Sequence, residues 1–135
     1  HMPAEGLFHN FAIISMKKEY PGHVRKVMYG LWGLGLMALT KILVVVDHDV
    51  DVENISEVSW RIGTNIDPSR DLVILKGPAD DLDHASEVPK FGGKIGIDAT
   101  SKGVIDGFKR NWPDEIVMNE EIKNLVDRKW HEYNI

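Results

Sequence analysis

Lys41-Ile42-Leu43-Val44-Val45-Val46 is an unbroken run of aliphatic, mostly β-branched side chains. It lacks the in-and-out alternation of a half-solvated strand. It therefore predicts a strand buried on both faces, as in a sheet wrapped by helices. Towards the N-terminus, Phe8 to Met16 reads as a second strand, with Phe11, Ile13 and Ile14 as its β-favouring residues. Between these two, Tyr20-Pro21-Gly22-His23 predicts a turn that leads into a helix. Val24, Val27, Met28 and Leu31 share one face of that helix, and Arg25 and Lys26 take the other. Gly30, Gly33 and Gly35 weaken it and bring it to an end.

Towards the C-terminus, Asn54 is placed to cap a further helix. Glu57 three residues on completes a capping-box pattern, and Ile55, Val58 and Ile62 form the expected buried stripe. Leu72 to Leu75 is another short apolar strand, and Lys94 to Ile97 a fourth, preceded by Gly92-Gly93. Asn119 caps a last helix with Glu120 and Glu121 in its first turn and Arg128 and Lys129 in its last, which suits the helix dipole. Its apolar side holds Ile122, Leu125, Val126, Trp130 and Tyr133. The alternation predicts an α/β fold, a mainly parallel sheet of about four strands flanked by helices, with an added C-terminal helix. Ligands in such sheets favour the carboxyl ends of the strands. Met16 to Gly22, Asp47 to Asn54 and Lys76 to Phe91 are expected to meet there.

At 135 residues the chain is one domain by length, and no repeat or low-complexity linker divides it. His1-Met2 reads as a cloning scar and residues 3–135 as a single α/β domain. The 43% hydrophobic and 27% charged content is ordinary for a globular protein. With 16 basic and 21 acidic residues the net charge is −5, which argues against a nucleic-acid or anionic-membrane partner. The absence of cysteine excludes disulfides, thiolate nucleophiles and Cys-ligated zinc. No run approaches the roughly 18 apolar residues of a membrane span. The longest, Leu31 to Leu39, has two glycines within it and serves equally as core or as contact surface. A cytoplasmic location is the expectation.

Asp47, Asp49 and Asp51 alternate after the central strand, but a calcium loop needs Gly where Val52 stands and Glu where Val58 stands. The plain reading is a polar strand exit. Phe91-Gly92-Gly93-Lys94 fails the phosphate-loop pattern and reads as a tight turn. Gly33 and Gly35 do not complete a dinucleotide fingerprint. Asp80, Asp81, Asp83 and His84 are dense enough to bind a divalent ion or to act as acid and base. The alternative is a solvated acidic loop with Leu82 tucked inward. Ser15 and Ser86 show no nucleophile elbow, and His9, His23 and His131 read as capping or surface residues.

Five stretches, in order, resemble one family. They are YPGHVRKVMYGLWG (Tyr20 to Gly33), LTKILVVVDHDVDV (Leu39 to Val52), IGTNIDPSR (Ile62 to Arg70), DDLDHAS (Asp80 to Ser86) and GGKIGIDAT (Gly92 to Thr100). Together they are similar to the C-terminal domain of the UbiD carboxy-lyases, decarboxylases of aromatic and α,β-unsaturated acids. The likeness runs from about Phe8 to Ile135. It implies a small-molecule carboxylic acid as substrate, with prenylated FMN and a divalent metal held by a central domain outside this chain. No cofactor is then expected on this chain alone, and no catalytic residue either. The resemblance further implies a role in walling the substrate pocket and in homo-oligomer contacts, beside missing N-terminal and flavin-binding domains.

Matching the loop to the family places Ala79 and Asp81 where relatives carry bulky apolar side chains facing substrate and flavin, with Leu82 as a packing neighbour. A small residue and a carboxylate imply a roomier, more polar pocket. Near Gly35, relatives can carry a basic residue reaching towards the flavin phosphate, whereas the nearest here is Lys41. A stand-alone interaction or oligomerisation module is the alternative. A metal enzyme built on Asp47, Asp49, Asp80 and His84 is a third possibility.

Overall fold

The computed structural model describes residues 1–6 and 8–133. Four strands, β1 (Phe11–Met16), β2 (Ile42–Asp47), β3 (Leu72–Pro78) and β4 (Phe91–Asp98), form one sheet in the order β1-β2-β4-β3. β1, β2 and β4 are parallel, and β3 is antiparallel to β4. The helices are α1 (His23–Trp32), α2 (Ile55–Asn65), the one-turn α3 (Pro68–Asp71) and α4 (Glu120–Lys129). Phe8 to Asn10, read as the start of a strand, instead forms a 3₁₀ turn that delivers the chain to Phe11.

β2 is the centre of the molecule. Leu43 and Val45 pack with Ala12 and Val73 against Val24, Met28 and Trp32 of α1. Val44 and Val46 pack with Ile13, Val50 and Ala99 against Val58 of α2. The absence of alternation in the sequence thus corresponds to a helix on each face. Each fully buried aliphatic side chain contributes roughly 1.5–3 kcal/mol. α1 crosses β4 at Gly96, where a Cβ would stand 2.6 Å from Met28 Sδ, so this approach needs glycine. Asn54 Oδ1 accepts from the Glu57 amide as expected of a cap. Glu57 itself lies beside Arg61, and Ile55 is exposed, so the buried stripe of α2 is Val58 with Ile62.

The direction of β3 departs from the expected parallel strand. Asn65 Nδ2 donates to the Ala99 carbonyl at 3.0 Å, so α2 finishes at the carboxyl edge of the sheet. The single turn of α3 leaves Leu72 at that same edge, paired with Ile97, and β3 has to run back down. As an edge strand it alternates: Val73 is buried while Ile74 is 76% exposed. Gly92-Gly93 lies inside β4. The tight turn falls just before it, where the Phe91 amide bonds the Val88 carbonyl and Lys90 takes a φ of 63°.

The run from Leu31 to Leu39 divides. Trp32 is core and its indole donates to the Thr40 carbonyl at 3.0 Å, while Leu34 and Leu36 face outward. Along α4, Ile122 and Leu125 are exposed, as is Trp130 just beyond its end. Among the described residues no helix is long and apolar enough to cross a membrane.

Candidate functional site

Because β3 runs backwards, the segment from Lys76 to Phe91 leaves the sheet at the amino ends of β1, β2 and β4. It does not join Met16 to Gly22 and Asp47 to Asn54 at the carboxyl edge, as the sequence reading expected. A fixed loop is built at the amino edge instead, on residues remote in sequence. Asp80 Oδ2 lies 2.9 Å from His9 Nε2, and its Oδ1 accepts the Leu82 amide at 2.8 Å. Asp83 Oδ1 accepts from Lys41 Nζ at 2.5 Å and from the Ala85 amide at 3.1 Å, while its Oδ2 accepts the Ser86 hydroxyl at 2.9 Å. The Lys41 hydrogen bond, against the opposing effect of burial, holds the Asp83 carboxyl below the usual carboxylate range.

These pairings settle what the acidic cluster does. Asp80 turns to His9, Asp83 to Lys41, and Asp81 to Lys90 at 3.1 Å. Three carboxylates on three different partners do not converge on one ion. Among the described residues no group of three or more acidic or histidine side chains is arranged to hold a metal. Nor is Leu82 tucked inward: it is 74% exposed. The carboxylates on either side of it are the anchors, and turning them towards the body leaves Leu82 facing out. Ala79 is buried behind it, its amide bonded to the Lys90 carbonyl at 2.9 Å. A groove of about 400 Å³ runs beneath the loop between Lys41, Lys76, Ser86, Val88 and Phe91.

Lys94 enters the sequence reading only in the failed phosphate-loop pattern and as the start of a strand. It lies in this region, 4% exposed, with Nζ donating to the Thr40 carbonyl at 2.9 Å. Burial lowers its pKa from the ordinary lysine value, with Asp83 acting to raise it and Lys41 to lower it. A lone lysine after two glycines carries no sequence signal of this. His9 was likewise read as a surface or capping residue, and its partner lies 71 positions away.

The carboxyl edge is stitched into itself. Asp47 accepts the Ser101 amide at 2.7 Å, and Asp51 accepts the Glu53 amide at 2.9 Å. Lys18 bridges Thr100, the Ser101 carbonyl and Asp106. Lys102, itself buried, reaches Asp98 and Asp71. Burial would raise the Asp71 carboxyl, but the Arg70 and Asp67 hydrogen bonds and the Lys102 charge overcome it and leave it lowered. Asp49 and His48 border a groove of about 700 Å³ with Trp60, Arg61 and Trp112. Asp47 and Asp49 thus stand at the opposite edge from Asp80 and His84, and the four-residue metal enzyme is not assembled.

A flavin nucleotide needs a phosphate cradle, and the Gly92-Gly93 pair does not supply one. Gly92 and Gly93 pair with Gly77 and Lys76 in the β3–β4 ladder. Gly92 is also backed by Ser86, whose Oγ would be 2.2 Å from a Cβ there. Lys41 is held by Asp83. Gly92, Gly93 and Lys41 do not fit that group.

The model of the 3-octaprenyl-4-hydroxybenzoate carboxy-lyase C-terminal domain matches residues 1–99. An uncharacterized protein of Aquifex aeolicus is 53% identical over 135 residues, covering 100% of this chain and 28% of that protein. One from Archaeoglobus fulgidus is 51% identical over 133 residues, covering 98% and 28%. The chain thus spans 28% of the length of these curated relatives. Among solved structures, the closed form of vanillic acid decarboxylase from Sedimentibacter hydroxybenzoicus superposes with a TM-score of 0.76 at 27% identity, covering 90% of this chain and 26% of that one. The UbiD-class enzyme HmfF from Pelotomaculum thermopropionicum, in complex with FMN, gives 0.77 at 26% identity, covering 94% and 28%.

Proposed function

The chain belongs to the family of UbiD carboxy-lyase C-terminal domains, and from that footing we propose that it is the non-catalytic wall of a longer decarboxylase. The substrate is an aromatic or α,β-unsaturated carboxylic acid. Prenylated FMN and a divalent metal sit on polypeptide outside these residues. One relative in structure is a vanillic acid decarboxylase and another holds FMN, which supports this reading. When bound there, the prenylated flavin supplies the electron sink.

The loop from Ala79 to Ser86 is this chain's contribution. The observation that carries the reading is its build: charge-assisted hydrogen bonds anchor Asp80 and Asp83, and Asp81 and Leu82 project between them. A projecting tip on a fixed base is what a pocket wall requires, since about 1 Å of misplacement can cost a hundredfold in rate. Buried Ala79 leaves room, Asp81 gives a polar lining, and Leu82 excludes water. The exposed apolar side chains of α4, with Leu34 and Leu36, supply contacts to other domains or to a second copy.

The test is made in the longer polypeptide that carries this domain. Asp81→Leu and Leu82→Ala shift the kcat/KM ratio between a hydroxylated aromatic acid and an apolar one by about tenfold, the scale of a single pocket contact. An unchanged ratio in both variants overturns the wall role. The second reading, a stand-alone interaction module, draws on the same exposed stripe of α4. A chain that stays monomeric by light scattering across concentrations counts against it.

A further inference from the structure

His9 reaches the tip of the amino-edge loop through a single carboxylate. It stands in the 3₁₀ turn Phe8–Asn10, just ahead of β1. That turn is tied to the sheet: the Asn10 carbonyl accepts the Lys41 amide at 3.1 Å, and the Lys41 carbonyl accepts the Ile95 amide at 2.9 Å. Asp80 carries the link onward. Its Oδ2 lies 2.9 Å from His9 Nε2, and its Oδ1 accepts the Leu82 amide at 2.8 Å. A carboxylate only accepts, so the imidazole Nε2 carries the hydrogen of this contact. The two side chains are 25% and 19% exposed, which shields most of the pair from competing water.

An aspartate can close such a turn on the amide two residues on without help. What it does not set is the plane of its own carboxylate, because its terminal torsion is broad. A second partner on the other oxygen stops that rotation. The later half of the loop has its own holder: Asp83 takes Lys41 and the Ala85 amide on Oδ1 and the Ser86 hydroxyl on Oδ2. The halves meet through the backbone, where the Asp83 amide donates to the Asp80 carbonyl at 3.1 Å.

We infer that His9 is a positioning residue for Leu82. It stops the Asp80 carboxylate in the plane that meets the Leu82 amide, and so fixes the tip from the base of β1. Lys41 serves Ala85 and Ser86 in the same way, and the two halves of the loop are set separately. The consequence for substrate choice rests on the wall role proposed above; the link from His9 to Leu82 does not.

The experiment follows exchange of the Leu82 and Ala85 amides by NMR in this chain. His9→Ala removes the donor, and His9→Gln keeps an amide nitrogen near the place of Nε2. His9→Ala speeds Leu82 exchange by about tenfold, as expected for one hydrogen bond to a charged group, and leaves Ala85 unchanged. His9→Gln restores most of the protection. Should His9→Ala fail to fold, His9→Phe keeps a ring without the donor and is judged by the same criteria. Asp80→Ala also speeds Leu82 exchange, and adding His9→Ala to it brings no further change, because both act through one link. Three results each overturn the proposal: Leu82 exchange unmoved without the donor, equal acceleration at Leu82 and Ala85, or full additivity in the double variant. In the longer polypeptide, His9→Ala shifts the preference between a hydroxylated and an apolar acid in the direction that Leu82→Ala does. If Leu82 exchange quickens there while the preference stays, the positioning role stands and the wall reading falls.

Discussion

Asp71 and Asp83, one at each edge of the sheet, contribute to the acid sensitivity of the molecule, beside the exposed Asp67. Both carboxyls are held below the ordinary value of 3.8. A carboxylate lowered in the fold binds its proton more weakly there than in the unfolded chain. Its stabilisation is therefore complete above the ordinary value and is lost as pH falls through the folded one. Urea midpoints measured from pH 6 downward should hold level and then decline below about pH 4. Asp83→Asn should start lower at pH 6 and decline less steeply; an identical slope in the variant would contradict the assignment. The partners of these groups explain what the sequence withheld. DDLDH announced a cluster, but the partners that divide it, His9 and Lys41, lie 71 and 42 positions from the carboxylates they bind. Spacing within five residues cannot reveal partners brought in by the sheet.

Among the elements, β2 was legible because its burial on both faces is written into every residue from Leu43 to Val46. The caps on α2 and α4 were legible as well, since Asn54 and Asn119 act within three residues of themselves. The direction of β3 was not. It depends on where α2 finishes, fixed by one side-chain bond from Asn65 to Ala99, and a short apolar strand reads alike in either direction. The contact between α1 and β4 supplies the sharpest test at this scale. Gly96→Ala drives a methyl group towards the fully buried Met28 and the Trp32 ring. Overpacking of this kind costs roughly 1–3 kcal/mol, read as a lower urea midpoint at unchanged slope. A neutral result would mean that α1 does not press on the sheet there.

At the scale of the whole molecule, the two edges of the sheet differ in kind. The carboxyl edge is tied to itself through Lys18, Asp106, Asp98, Lys102 and Asp71. The amino edge carries a braced loop whose tip, Leu82, touches little of its own chain. With 28% of the length of its curated relatives, the chain presents that loop outward, and its Gly92-Gly93 pair is taken up in the β3–β4 ladder. The central claim is a division of labour: shape resides here, reaction elsewhere. Carbon dioxide release settles it most directly, with the purified 135-residue chain supplied with prenylated FMN, manganese and a hydroxylated aromatic acid. The account predicts no release above the protein-free control. Sustained turnover by the chain alone would contradict it.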